Sequence, residues 1–147
     1  MDLEVARGIA YYSHHGRRDR LGELRIEHVV RVVAAVPAAA RTTAWLHDVL
    51  EETATRTGTL RAEGMTALEE EALSLLRRAD DERFELHMLR IAHAPGAAGD
   101  VARAIELAEL DDLLARSAED PDRWDLPPYA WARRHIAGAM EATWIPS

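Results

Sequence analysis

Residues 44–53, AWLHDVLEET, read as a buried apolar helix that a histidine and an aspartate interrupt. Glu51 and Glu52 follow one helical turn after His47 and Asp48, so each acidic residue shares a helix face with one member of the pair. Burying a polar side chain costs free energy unless a partner satisfies it, and a metal ion satisfies several at once. The stretch therefore predicts a buried helix that carries part of a metal centre.

Two further polar side chains lie in segments that otherwise read as apolar helices. His28 lies in IEHVVRVV and Glu109 lies in IELAELDDLL. Two histidines and two carboxylates are a usual ligand mixture for a divalent transition metal. Asp112 lies one turn after Glu109 on the same face and competes with it for the last ligand position. We expect one divalent ion, manganese first and iron, cobalt or zinc as alternatives, bound by His28, His47, Asp48 and Glu109.

The rest of the sequence is also typical of helices. Ala and Leu are abundant, Phe occurs once, and the alternation that marks strands is nearly absent. A chain of 147 residues can form one domain with a full hydrophobic core, and we assign residues 1–147 to it. We predict a single compact all-α domain of about seven helices, which with their caps span residues 2–15, 24–36, 38–55, 66–79, 80–94, 100–117 and 129–143.

The segments between these helices are predicted as loops. They include the arginine-rich GRRDRLGE at residues 16–23, TRTGTLRAEG at residues 55–64 and EDPDRWDLPP at residues 119–128. Trp124 in the last loop is expected at the mouth of the site or at a contact between two copies, so a homodimer is one of the expected arrangements.

Composition excludes several classes of protein. No cysteine is present, which excludes disulfides and thiolate metal sites. No apolar run reaches about 18 residues, and the opening MDLEVARGIA lacks the features of a signal peptide, so we expect a cytoplasmic protein that does not contact membranes. The net charge of −8 argues against nucleic-acid binding. A small anionic substrate remains compatible, because local arginines and a metal ion can outweigh the overall charge.

Three blocks of sequence resemble one known family. HHGRRDRLGELRIEH resembles its H-x-G-x-x-R-x-x-G-x-x-Y-I-x-H, AWLHDVLEET its A-x-L-L-H-D-V-x-E-D-T, and IELAELDDLL its V-K-L-A-D-x-x-x-N. The family is that of HD-domain metal-dependent phosphohydrolases, and the branch is that of the (p)ppGpp hydrolase domains of RelA/SpoT-type proteins and their small single-domain relatives. The resemblance covers roughly residues 6 to 140 and implies an HD-type helical domain with hydrolase activity.

The resemblance also implies roles for single residues. His28, His47 and Asp48 match three metal ligands, and Glu109 stands where the family has its last metal-binding Asp. The Glu-Asp pair that the family uses to activate water matches the two catalytic candidates, Glu51 and Glu52.

On the substrate side, the resemblance implies contacts with a small anionic, nucleotide-like molecule. Arg17 and Arg18 lie in the loop that touches the nucleotide in the family. Asp112 stands beside the position of the family's Asn, which makes it a third candidate for substrate binding. One of His14 and His15, which precede the glycine of the first block, is expected to pack near the site.

Several positions depart from the family's pattern. Glu replaces Asp at positions 52 and 109, Glu106 replaces a Lys, Arg25 replaces a Tyr and Leu113 replaces an Asn. The Lys and the Asn would help to hold the site and an anionic substrate. Their loss keeps a second hypothesis open, in which the chain is a degenerate HD domain that binds a nucleotide or a partner protein without turnover.

A third hypothesis is a di-iron HD oxygenase. Such an enzyme needs two more histidines after the His-Asp pair. His87 and His93 supply that number, although they are six residues apart and do not share a helix face well.

Overall fold

Helices form the regular structure in residues 1–120 and 126–142, which are the residues described by the computed structural model of the protein. No strand and no helix able to cross a membrane occurs in these residues, and the prediction of one compact all-α domain is confirmed. Trp124 and residue 143 lie outside them. The helices are α1 (Leu3–Ser13), α2 (Arg25–Ala35), α3 (Arg41–Leu46), α4 (Val49–Glu52), α5 (Thr57–Ala62), α6 (Ala67–Leu76), α7 (Phe84–Ala92), α8 (Gly96–Ser117) and α9 (Leu126–Ala142).

Two of the predicted helix starts carry the caps that the sequence indicates. Asp2 Oδ1 accepts hydrogen bonds from the backbone N–H groups of Glu4 and Val5, at 2.9 and 3.2 Å. Thr66 accepts from the backbone N–H of Glu69, whose side chain accepts in turn from the backbone N–H of Thr66. Such caps satisfy N–H groups that have no partner within the helix, and they fix where α1 and α6 begin.

The predicted helix over residues 38–55 is divided in the structure. A 3-10 turn at Ala38–Ala40 leads into α3, and His47 and Asp48 form a turn before α4. The carbonyl oxygen of Ala44 accepts hydrogen bonds both from the ring Nδ1–H and from the backbone N–H of His47, at 2.6 and 3.4 Å. A side chain that bonds to a nearby backbone carbonyl in this way competes with regular helix, and the helix stops at His47 and Asp48.

Several other predicted boundaries are wrong: α7 begins later than predicted and α9 begins earlier, within the predicted loop over residues 119–128. Residues 55–64, predicted as a loop, contain α5, because Leu60 is completely buried in the core and this burial outweighs the low helix propensity of Thr and Gly. The helix predicted to start at Asp100 begins at Gly96, and Asp100 instead forms an ion pair of 2.6 Å with Arg103.

The core lies on both sides of α8. One cluster of buried apolar residues, which includes Ile105, joins α1, α2, α3, α6 and α8, with α2 and α6 packed directly against α8. A second cluster packs α7 and α9 against it and includes Leu110. α8 is therefore enclosed along its middle, and the few polar side chains it carries there point into the interior of the domain.

Candidate metal centre

Three parts of the chain bring the four predicted ligand residues together. His28 lies in α2, His47 and Asp48 in the turn between α3 and α4, and Glu109 in α8. One ligand atom from each residue lies within 4.8 Å of one atom from each of the others. The three residues other than Glu109 are buried. The four residues, which we call the ligand group, could bind one metal ion.

The turn at His47 fixes which ring nitrogen faces this group. Because Nδ1 donates to the carbonyl oxygen of Ala44, Nε2 is left as the free atom. His47 Nε2 lies 3.2 Å from Oε2 of Glu109 and 3.3 Å from Oδ2 of Asp48. The bond to Ala44 thus sets both the tautomer and the direction of the imidazole.

His28 is oriented by a carboxylate instead. Its Nδ1 donates a hydrogen bond of 2.6 Å to Oδ2 of Asp112, and Oδ1 of Asp112 accepts from Nε of Arg31 at 2.5 Å. Nε2 of His28 then lies 3.9 Å from Oδ2 of Asp48. A carboxylate behind a histidine is the usual arrangement around a protein-bound metal, because it fixes the ring and raises its basicity.

The unpaired ring nitrogens show that the donor set fits a metal ion. Nε2 of His28 and Nε2 of His47 are buried, and neither has a hydrogen-bond partner within residues 1–120 and 126–142. Buried polar atoms without a partner are rare in proteins and costly. A divalent ion would satisfy both nitrogens and the carboxylates of Asp48 and Glu109 at once, whereas Asp112 stands behind His28.

The electrostatics of the group favour a positive charge. Burial opposes the charge on His47, but the carboxylates of Asp48 and Glu109 outweigh it and hold the pKa of His47 well above its usual value. Burial likewise opposes the charge on Asp48, and His47 and Arg25 hold the pKa of Asp48 well below its usual value. Two carboxylates at this point therefore attract a proton or a metal ion.

Arg25 lies one turn before His28 in α2 and reaches the same group. Its Nη2 donates to Oδ2 of Asp48 and lies 3.8 Å from Oε1 of Glu52. Burial opposes the guanidinium charge, but the charges of Asp48, Glu52 and Glu109 keep the pKa of Arg25 above its usual value. Asp48 is thus shared between the predicted ligand group and a cation that belongs to the protein.

Three acidic side chains border the group without joining it. Glu51 and Glu52 are exposed. Desolvation and the charge of Asp48 raise the pKa of Glu51. Glu106 is buried, and burial together with the charge of Glu109 holds its pKa well above its usual value.

Two cavities flank the ligand group and share Glu109 and Leu113 in their walls. The smaller has a volume of about 130 Å³ and is lined by three arginines and by the carboxylates of Asp19, Glu109 and Asp112. The larger, of about 430 Å³, combines acidic side chains with apolar and aromatic ones. The smaller is also lined by Arg20, Arg25, His28 and Arg116, and the larger by His47, Asp48, Glu51, Glu52, Phe84, Glu106 and Tyr129.

The arginines that line the smaller cavity are not the two singled out from the sequence. Arg17 and Arg18 are exposed, Arg18 donates to the carbonyl oxygen of Gly22 at 2.6 Å, and neither lines a cavity beside the ligand group within the described residues. Arg25 and Arg116 could have been found from their spacing, because they lie three residues before His28 and seven after Glu109, on the same helix faces.

The remaining histidines occupy different surroundings. His14 is only 1% exposed, and its ring nitrogens have no hydrogen-bond partner in the described part of the chain. Burial lowers the pKa of His14 to about 4, against the charge of Asp48, which raises it. His14 is therefore the histidine of the first block that lies near the site, while His15 is exposed. His87 donates from Nε2 to the carbonyl oxygen of Leu75 at 3.0 Å, and His93 is exposed.

A chain of alternating charges connects the site to the loop before α2. Asp112 pairs with Arg31, which also donates to Glu23 at 2.6 and 3.0 Å. Glu23 lies 3.3 Å from Arg116, which donates in turn to Asp19. This five-charge chain, Asp112–Arg31–Glu23–Arg116–Asp19, ties the position of the loop to that of His28.

Comparison with known proteins gives no relative: no protein-family model matches the sequence, and a search of curated proteins finds no significant match.

Proposed function

We propose that the protein is a metal-dependent phosphohydrolase of the HD type, acting on a phosphoester or pyrophosphate bond in a nucleotide-like substrate. The observation that carries the proposal is the convergence of two buried, unpartnered Nε2 atoms with two carboxylates, from residues that match the family's blocks. The resemblance supplies the reaction class, and the geometry supports the ligand set.

The ligand group would hold one divalent ion, with manganese the first choice and iron, cobalt and zinc the alternatives. When bound, such an ion lowers the pKa of a coordinated water toward about 7 and polarises a phosphoryl oxygen. His28 and His47 would contribute neutral imidazoles, each oriented through Nδ1, while Asp48 and Glu109 would contribute charge. Two carboxylates neutralise a divalent ion, which leaves the site able to accept an anionic substrate.

Glu51 and Glu52 would act as the general acid–base groups that accept and donate protons in the reaction. Both side chains line the larger cavity beside Asp48. A carboxyl group works best as an acid–base catalyst when its pKa lies near the working pH, and the pKa of Glu51 is raised in that direction. Oε1 of Glu52 lies 3.8 Å from Nη2 of Arg25.

The two cavities suggest how a substrate would lie. The phosphoryl group would occupy the smaller cavity, whose arginines suit phosphate oxygens. The leaving group would occupy the larger cavity, where Phe84 and Tyr129 form an edge-to-face pair with ring centroids 5.4 Å apart. An aromatic wall of this kind suits a planar base, which supports a nucleotide-like substrate over a simple phosphate ester.

The second candidate function is binding without turnover. The contact between Arg25 and Asp48 favours it, because an internal cation weakens the need for a metal ion. Glu106, buried beside Glu109 where the family has a Lys, favours it as well. In this case the chain would bind a nucleotide or a partner protein through the same cavities.

Metal analysis followed by a hydrolysis screen tests the proposal. We expect the purified protein, loaded with manganese, to hold about one ion per chain and to release phosphate or pyrophosphate from some member of a nucleotide and phosphoester panel. His47→Ala and Asp48→Ala should each abolish metal binding while helicity, measured by circular dichroism, is preserved. Full metal occupancy in either variant would contradict the assignment of the site. A metal-loaded protein that is inert against the whole panel would favour binding without turnover.

A further inference from the structure

We propose that Arg25 is an anion-binding residue that exchanges Asp48 for a phosphoryl oxygen of the substrate when a divalent ion binds to the ligand group. This inference rests on the proposed function for the ion and the class of substrate. It concerns a position where the resembled family has a Tyr, so nothing in the resemblance assigns the role.

The position of Arg25 places its guanidinium at the boundary between the ion and the substrate. Arg25 lies in the first turn of α2, on the same face as His28, and lines the smaller cavity together with His28 and Glu109. The side chain is 21% exposed, so part of the guanidinium faces this cavity. Its Nη2 donates to Oδ2 of Asp48, and this oxygen also lies 3.9 Å from Nε2 of His28 and 3.3 Å from Nε2 of His47.

One donor of Arg25 has no partner. Its Nε is buried, and within the described residues it makes no hydrogen bond. A buried donor without a partner is costly, and a guanidinium presents its donors as a fork that matches two oxygens of a phosphate group. The hydrogen bonding of Arg25 is therefore incomplete, because its guanidinium donates to Asp48 and has Glu52 at 3.8 Å but no partner for Nε within the described residues.

The other arginines of the smaller cavity are committed elsewhere. Arg20 pairs with Asp120, and Arg116 pairs with Asp19 and Glu23. None of these three carboxylates belongs to the ligand group. A metal ion would leave those pairs intact, whereas it would compete with Arg25 for the charge of Asp48.

The exchange links the two binding events. An ion bound to Asp48 withdraws the nearest of the negative charges that hold Arg25, and the guanidinium, with Glu52 still at 3.8 Å, then favours an anion in the smaller cavity. By thermodynamic linkage, the anion must raise the affinity for the ion by the same factor. Arg25 would thus weaken the binding of metal alone and strengthen the binding of phosphate to the metal-loaded protein.

These two effects of opposite sign are the test. Calorimetric titration would give the affinity of the metal-free protein for manganese, and then the affinity of the manganese-loaded protein for inorganic phosphate, for wild type and Arg25→Met. We expect Arg25→Met to bind manganese about tenfold more tightly and phosphate about tenfold more weakly, the scale of one lost charge-assisted hydrogen bond. Arg25→Gln, which keeps a donor but not the charge, should change both affinities in the same directions.

Arg20→Met is the matched control, because Arg20 lines the same cavity but pairs with Asp120. It should leave the affinity for manganese unchanged. The exchange is overturned if Arg25→Met and Arg25→Gln bind manganese no more tightly than wild type, or bind phosphate equally well. A protein that shows both shifts but hydrolyses no ester supports the exchange and contradicts only the proposed hydrolase. If wild type and variants all fail to bind manganese, both proposals are wrong.

Discussion

Each histidine of the ligand group uses one ring nitrogen for the protein and leaves the other for a ligand. For His47 the protein partner is the backbone carbonyl of Ala44, and for His28 it is the carboxylate of Asp112. The carboxylate is the stronger of the two partners because it carries a charge. At the scale of single residues, the most discriminating question is therefore which of Glu109 and Asp112, one helical turn apart, would bind the metal ion directly.

Glu109→Gln is expected to weaken metal affinity by more than about tenfold, because a neutral amide is a poorer ligand for a divalent cation than a carboxylate. Asp112→Asn should weaken it less, since Asp112 acts through His28, although such changes still cost about 10-fold or more in some sites. Calorimetric titration of both variants side by side with manganese measures the difference.

Glu109→Asp serves as the control for this pair, because it keeps the charge and restores the residue of the resembled family. We expect it to retain metal binding. The ligand assignment would be wrong by one helical turn if Asp112→Asn emptied the site while Glu109→Gln did not. If neither variant changed the affinity, binding without turnover would become the better hypothesis.

Glu51→Gln is expected to keep the metal and to lower turnover by roughly a hundredfold or more, as for the loss of a general acid–base group. The change preserves the shape of the side chain and removes only its charge and its affinity for a proton. Steady-state kinetics on the best substrate of the screen, together with metal analysis, would separate the two effects. An unchanged rate in the variant with Gln at both 51 and 52 would place proton handling elsewhere.

At the scale of helices, the close approach of the Ala94 backbone to α8 limits which side chain the helix can carry at position 99. A Cβ atom added to Gly99 would lie 2.1 Å from the carbonyl oxygen of Ala94, an oxygen that also accepts a hydrogen bond of 2.5 Å from Arg103. Real Cβ atoms do not approach backbone this closely, so the start of α8 would have to shift.

Gly99→Ala is therefore expected to destabilise the protein by about 2 kcal/mol, the usual cost of overpacking. Gly138→Ala, in the interior of α9, is the matched control: nothing lies within 4 Å of its added Cβ, and the variant should gain about 0.5–1 kcal/mol from helix propensity. Urea denaturation of both variants gives the two values. If both variants changed the free energy of unfolding equally, the carbonyl group of Ala94 would not restrict the residue at position 99.

The helices and their contacts also differ in how far the sequence alone predicts them. His28, His47, Asp48 and Glu109 stand in apolar helical surroundings, and that contrast, together with the resemblance of the three sequence blocks, predicts the group. The break after Leu46 was not predictable, because it depends on a side-chain bond within one turn. α5 was not predictable from propensity either, because the burial of Leu60 is a tertiary effect. In the sequence, Arg25 is only a departure from the Tyr of the resembled family. Its contact with Asp48 is not predictable, because it joins residues 23 positions apart.

At the scale of the whole molecule, buried titratable groups connect stability to pH. His14 is buried and its pKa is lowered to about 4. Between pH 6.5 and pH 4 the unfolded chain therefore binds a proton at His14 that the folded chain does not. This contribution to stability is fully present above pH 6.5 and is lost as the pH falls toward 4.

Wild type should thus lose about 2 kcal/mol more stability than His14→Leu between pH 7 and pH 5, as linkage gives for this shift. Urea denaturation at both pH values, with a chelator present, measures the difference. Glu106, whose raised pKa gives a slope of the opposite sign, is present in both proteins and cancels in the comparison. Parallel losses in wild type and variant would show that His14 is not buried in its neutral form.

The five-charge chain has a consequence for how the sequence can diversify. Arg31 pairs with both Asp112 and Glu23, and Arg116 pairs with both Glu23 and Asp19. Reversing one of these charges places like charges side by side. Reversing two neighbouring charges restores the pair between them but breaks the pairs that they form with the rest of the chain. Mutational effects at these positions should therefore show strong epistasis, and evolutionary drift there should proceed through compensated replacements that leave the orientation of His28 unchanged.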